Sequence, residues 1–283
     1  MKLNRNDSCH CGSGKKYKKC CLPNDEQQSK EIKSVSKLKQ TLPKKNILKQ
    51  DAIMATLTGE YVQPVRLCYD LYDKQAIHSK VFNDLKCMSY DSSNNRWVWL
   101  FDDEAKNLTF EKRYQDIPKN IRPIVLGSFF TDNDNEMYID VKSHDRALHA
   151  IEFFDGYIPR DVAQITEAIV LNRLLTQKEM ELLDDFNNFF KDVPIVDKAK
   201  EFEDMMTNAN SRNEKLNFLE SLFEKDKNEI IPDVERVRIH YYEDGIDTFR
   251  FSLRIKRIVA MIKFEGKEVT QNDILKIISG TYE

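Results

Sequence analysis

Val65, Leu67, Tyr69 and Leu71 alternate with Arg66, Cys68, Asp70 and Tyr72, the period of a strand with one buried face. Asp73-Lys74 reads as a turn after it, and Ala76 to Phe82 as the partner strand. Leu85 to Tyr90 and Trp97 to Phe101 flank the polar run Asp91-Ser92-Ser93-Asn94-Asn95, so they predict a hairpin. Trp97-Val98-Trp99-Leu100-Phe101 is apolar on both faces and is expected to be a central strand. Ile124 to Phe130 and Met137 to Val141 predict a second hairpin across Thr131 to Glu136.

The period then lengthens. Ser143 is an N-cap candidate, Ala147, Ile151 and Phe154 make a helical stripe, and Gly156 stops it. Val162, Ile165 and Ile169 continue at helical spacing. Thr176 with Glu179, and Ser211 with Glu214, have the spacing of capping boxes. They open stripes at Leu182, Phe186 and Phe189 and at Leu216, Leu219 and Phe223, with Ala199, Phe202, Met206 and Ala209 between them. Alternation returns at Val237, Ile239 and Tyr241 and at Phe249, Phe251, Leu253 and Ile255, on either side of the turn signal Asp244-Gly245. Thr270 and Asp273 open a last short helix through Ile278.

The pattern gives an α+β body over residues 47–283: a strand-rich part at 47–142, a helical middle at 143–231, and a C-terminal hairpin plus helix at 232–283, with a mainly antiparallel sheet. Residues 24–46 are rich in Lys, Ser, Gln and Glu and read as a basic linker, with a helical stretch from Ile32 to Leu38 that Pro43 would end. Residues 1–23 form a separate small module.

Charge changes this picture. The chain of 283 residues has a formal net charge of -3, but residues 1–50 hold 13 basic and 4 acidic side chains, a balance of +9, which leaves -12 on the remainder. A basic arm on an acidic body marks an interaction segment. Charged residues make up 32% of the chain, and the mean hydropathy is -0.60. No apolar run approaches the ~20 residues of a membrane helix, and no apolar segment of a secretory signal opens the chain, so a soluble, cytoplasmic protein without membrane contact is expected.

Four of the six cysteines stand at Cys9, Cys11, Cys20 and Cys21; Cys68 and Cys87 lie in apolar surroundings and read as small buried hydrophobes. Clustered cysteines without a secretory signal point to a metal site, and a disulfide between adjacent Cys20 and Cys21 would be strained. A Cys-x-Cys pair places two thiolates on one side of an ion, and a second pair after an eight-residue loop closes a tetrahedron of the kind zinc takes. Four thiolates on Zn²⁺ carry a net negative charge, and Lys15, Lys16, Lys18 and Lys19 favour the thiolate form. A segment this small has no core, so metal binding and folding would be one event.

The run Asn6-Asp7-Ser8-Cys9-His10-Cys11-Gly12-Ser13-Gly14-Lys15-Lys16-Tyr17-Lys18-Lys19-Cys20-Cys21 resembles the SEC-C motif, found at the C-terminal end of the bacterial translocation ATPase SecA and in small bacterial proteins. Ser8 and His10 stand where that pattern has proline. The resemblance implies Cys9, Cys11, Cys20 and Cys21 as ligands of zinc, with iron the alternative ion. It also implies docking on a partner, the export chaperone SecB or the ribosome, with Lys15, Lys16, Tyr17 and Lys18 making the contact to an acidic protein surface or to RNA phosphates. The chain is not SecA: it lacks the phosphate loop of an ATPase.

The body offers weaker signals. Arg250, Arg254 and Lys256 share one face of a strand, which Arg236, Arg238 and His240 could line across a hairpin; as a helix, Arg250, Arg254 and Arg257 share a face instead. His144-Asp145 matches the His-Asp pair of metal-dependent phosphohydrolases but sits where Ser143 caps a helix, and Asp132-Asn133-Asp134-Asn135-Glu136 lacks the glycine and terminal glutamate of a calcium loop. The leading expectation is a zinc-binding, non-enzymatic bacterial adaptor docking on a ribosome, a SecB-like chaperone or another acidic partner. The alternative is an enzyme, a nuclease or phosphohydrolase, whose body acts on what the module recruits.

Overall fold

The computed structural model describes residues 5–6, 15–19, 22, 52–131, 135–181, 186–190, 211, 214 and 227–282. The chain divides into two compact units, Met1–Ile47 and Leu48–Glu283.

The second unit is α+β, built on a seven-stranded antiparallel sheet in the order β2-β3-β4-β5-β1-β6-β7. Its strands are β1 (Val65–Leu71), β2 (Met88–Asp91), β3 (Arg96–Phe101), β4 (Ile124–Thr131), β5 (Glu136–Val141), β6 (Ala163–Leu171) and β7 (Val234–Arg238). Alternation sets the register of β1: Val65, Leu67, Tyr69 and Leu71 are buried, and Leu67 sits opposite Ile139 of β5 and Ala168 of β6. Trp97 to Phe101 belongs to β3 as expected, but β3 lies one strand from the edge, between β2 and β4. The hairpin β4–β5 forms as the sequence predicts. Gly127 permits its close approach: a Cβ there would lie 2.9 Å from Val141 Cγ1 and 3.0 Å from the Asp140 carbonyl oxygen.

Helix α2 (His144–Asp155) covers the apolar face with Ala147, Ala150, Ile151 and Phe154. Its start follows from chemistry read in the sequence: Ser143 Oγ accepts from the Arg146 N–H at 3.2 Å. Trp99, Phe153, Phe154, Phe82 and Phe129 interlock over the sheet with ring centroids 4.7–6.2 Å apart. The boxes Thr176/Glu179, Ser211/Glu214 and Thr270/Asp273 also form.

Three expectations are corrected. Ala76 to Phe82 is helical: Asp73 caps α1 (Lys74–Ala76) by accepting from the Ala76 N–H at 2.8 Å, and the chain runs on as a π-turn over Ile77–Phe82. Ile165 and Ile169 belong to strand β6 and not to a helix, so the middle of the chain is not wholly helical. The C-terminal hairpin does not exist. After β7 the chain forms α5 (Ile246–Phe264) and α6 (Gln271–Ser279). Positions i and i+4 share a face in both periods, so Phe249 and Leu253 fit strand and helix alike; burial of Lys256, Val259, Ala260 and Ile262 follows the 3.6 period, while Phe251 is exposed. Gly245, at φ +73°, provides the turn into α5.

Short helices α3 (Gln177–Glu181) and α4 (Asn187–Phe190) follow β6. The stripes beginning at Leu182, Ala199 and Leu216, the linker helix and residues 132–134 of the acidic turn lie outside the described residues. Besides the main core, Val62, Leu171 and Leu175 form a small cluster, and Ile231, Val259, Ile262, Val269 and Ile277 form another that joins α5 to α6. Among the described residues no helix is long and apolar enough to cross a membrane.

Candidate functional site

In the first unit Tyr17–Lys19 make a 3-10 turn. The Lys18 N–H donates to the Arg5 carbonyl at 3.0 Å and the Lys19 N–H to the Lys16 carbonyl at 2.9 Å. The turn leaves Lys15, Lys16, Lys18 and Lys19 exposed and Tyr17 half-buried. Four ammonium groups on five consecutive residues thus reach solvent, where they can meet carboxylates or phosphates. Cys9, Cys11, Cys20 and Cys21 lie outside the described residues. Among the described residues no three His, Cys, Asp or Glu side chains converge as metal ligands.

In the body, the basic face expected across a C-terminal hairpin is not assembled, because that hairpin is absent. Arg250 is neutralised by Asp247 at 2.6 Å and Glu152 at 3.3 Å. Arg236 pairs with Glu167 at 2.6 Å, and Lys256 is buried against Glu235. Arg254 is exposed on α5. Helical geometry keeps Arg250, Arg254 and Arg257 in one stripe.

Two histidines of the body, His144 and His78, serve the fold. His144 is buried behind the Ser143 cap, its ring bonded to the Leu253 backbone and its Nε2 without a partner. Burial, with Arg257 and Lys256 nearby, holds its imidazole well below the usual value of 6.5, and so neutral. His78 accepts the Trp97 Nε1–H on Nδ1 at 2.7 Å, and burial followed by the charge of Lys74 lowers its basicity. Neither ring has a carboxylate partner among the described residues. Cys87 is buried and Cys68 half-buried, and burial pushes both thiols up to about 12, which makes them poor nucleophiles at neutral pH.

Sequence reasoning missed a buried polar cluster beneath the loop before β1. Arg146, 2% exposed, donates from Nε to Glu60, 1% exposed, at 3.1 Å. It donates also to the Val125 and Leu126 carbonyls and to Thr58 Oγ1, at 2.9, 3.3 and 2.7 Å. Glu60 accepts further from Ser143 Oγ at 3.2 Å and Thr56 Oγ1 at 2.5 Å. Burial works to raise the Glu60 carboxyl, but the Arg146 charge and the threonine hydroxyls hold it below its usual value. Burial lowers the guanidinium more than Glu60 raises it, and its four hydrogen bonds to surrounding oxygens keep it charged. On the opposite face of the sheet Arg66 forks onto Asp140, both bonds 2.7 Å, and lies 3.9 Å from the centre of the Tyr138 ring. No sequence motif announces either pair, since each joins residues more than 70 positions apart. The surface of the described residues also carries clefts. One of about 630 Å³ lies between Arg173, Glu179, Asp233, Phe264 and Lys267, and one of about 250 Å³ between Cys68, Tyr138, Glu167 and Arg236.

The comparison with curated proteins returned no match, and neither did the comparison with solved structures. The family model of the SEC-C motif matches residues 5–23, which include the exposed lysine turn and all four clustered cysteines. The chain thus carries a SEC-C motif over residues 5–23, a motif that suggests a metal-binding module.

Proposed function

We propose that the chain is a zinc-dependent interaction adaptor of the bacterial cytoplasm. Cys9, Cys11, Cys20 and Cys21 hold the ion as thiolates, with iron the other ion such a donor set accepts. Lys15, Lys16, Tyr17 and Lys18 dock the module on an acidic partner, the ribosome or a SecB-like chaperone. The observation that carries this reading is the SEC-C match over residues 5–23, with four lysine side chains exposed beside the cysteines. Ligands and contact residues are different side chains, so the two roles separate by mutation. Metal analysis of the purified chain should give about one tightly held zinc, lost in Cys9→Ser and in Cys20→Ser; unchanged metal in both variants refutes the ligand set. Replacing Lys15, Lys16 and Lys18 together with Gln should leave the zinc in place and weaken co-sedimentation with ribosomes at low salt. Wild-type binding should also fall as the screening length shrinks from ~10 Å at 0.1 M salt to ~3 Å at 1 M. Equal co-sedimentation of wild type and triple variant refutes the docking role.

A further inference from the structure

Most cations along α5 have their own carboxylate: Arg250 has Asp247 and Glu152, Lys256 has Glu235, and Lys263 has Asp233. Arg254 and Arg257 do not. Among the described residues neither has a carboxylate within ion-pair distance. Arg254 is exposed, and Arg257 is half-buried one turn further along the same face. Burial lowers the Arg257 guanidinium, with Asp145 the strongest opposing charge but not an ion-pair partner.

Arg257 is nonetheless held in place. Its Nε donates to Gln63 Oε1 at 2.6 Å, and Gln63 is itself buried and fixed by a 2.8 Å bond from Nε2 to the Leu171 carbonyl. The guanidinium carbon stands 5.5 Å from the centre of the Tyr61 ring, a side chain that is 40% exposed. A neutral amide thus orients the guanidinium plane and occupies Nε, while the two terminal nitrogens make no hydrogen bond among the described residues. On a body with a balance of -12, two adjacent uncompensated guanidiniums stand out as a place for a negative group from outside the chain.

We infer that Arg254, Arg257 and Tyr61 form a docking surface for an acidic segment of a partner protein. A carboxylate meets the free end of the Arg257 fork, a second meets Arg254, and the Tyr61 ring packs against the peptide between them. Charge pattern favours a peptide over a nucleic acid. Asp145, Asp247 and Glu152 border the stripe, and a phosphate backbone, charged at every unit, would meet them. A peptide places its carboxylates only where the guanidiniums are. Two free cations also give little of the counterion release that holds nucleic acid.

The surface is independent of the zinc module, and the test keeps the two apart. The full chain is prepared with Lys15, Lys16 and Lys18 replaced by Gln, and a fluorescently labelled hexapeptide with two glutamates separated by neutral residues is titrated at low salt and followed by anisotropy. We expect saturable binding that Arg254→Glu weakens about tenfold, the loss of one charge-assisted contact and its replacement by repulsion. Arg257→Lys keeps the charge, removes the fork, and should weaken binding by a smaller factor. Arg254 is exposed, so its variant should unfold at the same midpoint as its parent. Absence of saturable binding, equal binding by Arg254→Glu and its parent, or tighter binding of a single-stranded RNA hexamer than of the peptide would each overturn the inference.

Discussion

Replacing Glu60 with Leu tests the buried cluster that ties the loop before β1 to helix α2. The substitution keeps a side chain of similar size but leaves Arg146, 2% exposed, without its anion. It also removes the acceptor of Ser143 Oγ and Thr56 Oγ1. Arg146 keeps its bonds to Thr58 and to the Val125 and Leu126 carbonyls, but these are dipoles and do not compensate a full charge. Removing one partner of a buried ion pair costs about 3–5 kcal/mol, and for a domain of this size each kcal/mol lowers Tm by roughly 2–4 °C. Urea unfolding followed by tryptophan fluorescence should therefore show a lower midpoint at unchanged slope, and a thermal transition lower by roughly 6–20 °C. The Glu60 carboxyl is held below its usual value, so its contribution is complete above the unfolded value of 4.5 and is lost as pH falls through the lower folded value. Wild type and variant should converge at acid pH. A loss below about 1 kcal/mol at pH 7, or a difference that widens on acidification, would refute this account.

Two further predictions concern the histidines. His144 is neutral in the fold, with its basicity held well below 6.5; the unfolded chain binds the proton more readily, so stability should fall as pH drops below about 6.5, and His144→Gln should flatten that limb of a urea-midpoint profile, whereas an unchanged profile would assign the slope to other groups. Trp97 gives its indole N–H to His78 Nδ1, so protonation of His78 below its ordinary value should remove that bond and shift tryptophan emission; the same shift in His78→Phe would show that the reporter is not this pair.

Sequence reading was most informative where local chemistry decides. The Ser143 cap, the three capping boxes and the β4–β5 hairpin rest on residues within a few positions of one another and were legible. It failed where short apolar runs satisfy both periods. Phe249 and Leu253, four apart, fit a strand as well as the helix they occupy; Ile165 and Ile169 misled in the opposite direction. Only the longer window separates the two, because Lys256, Val259, Ala260 and Ile262 extend the helical stripe beyond any strand. Glu60–Arg146 and Arg66–Asp140 were not legible, since residues far apart in sequence leave no spacing to detect. The SEC-C segment was the reverse case, a short run whose chemistry is written in consecutive residues.

Helix α5 contributes Phe249 and Leu253 to the main core and Val259 and Ile262 to the small cluster with Ile231, Val269 and Ile277. One rigid rod therefore takes part in two cooperative units of unequal size. The smaller unit rests on few apolar side chains, so opening it exposes little surface and leaves the sheet closed. Helix α6 can come away while α5 stays seated by its N-terminal half. The C-terminal end of the fold can thereby open without opening the sheet.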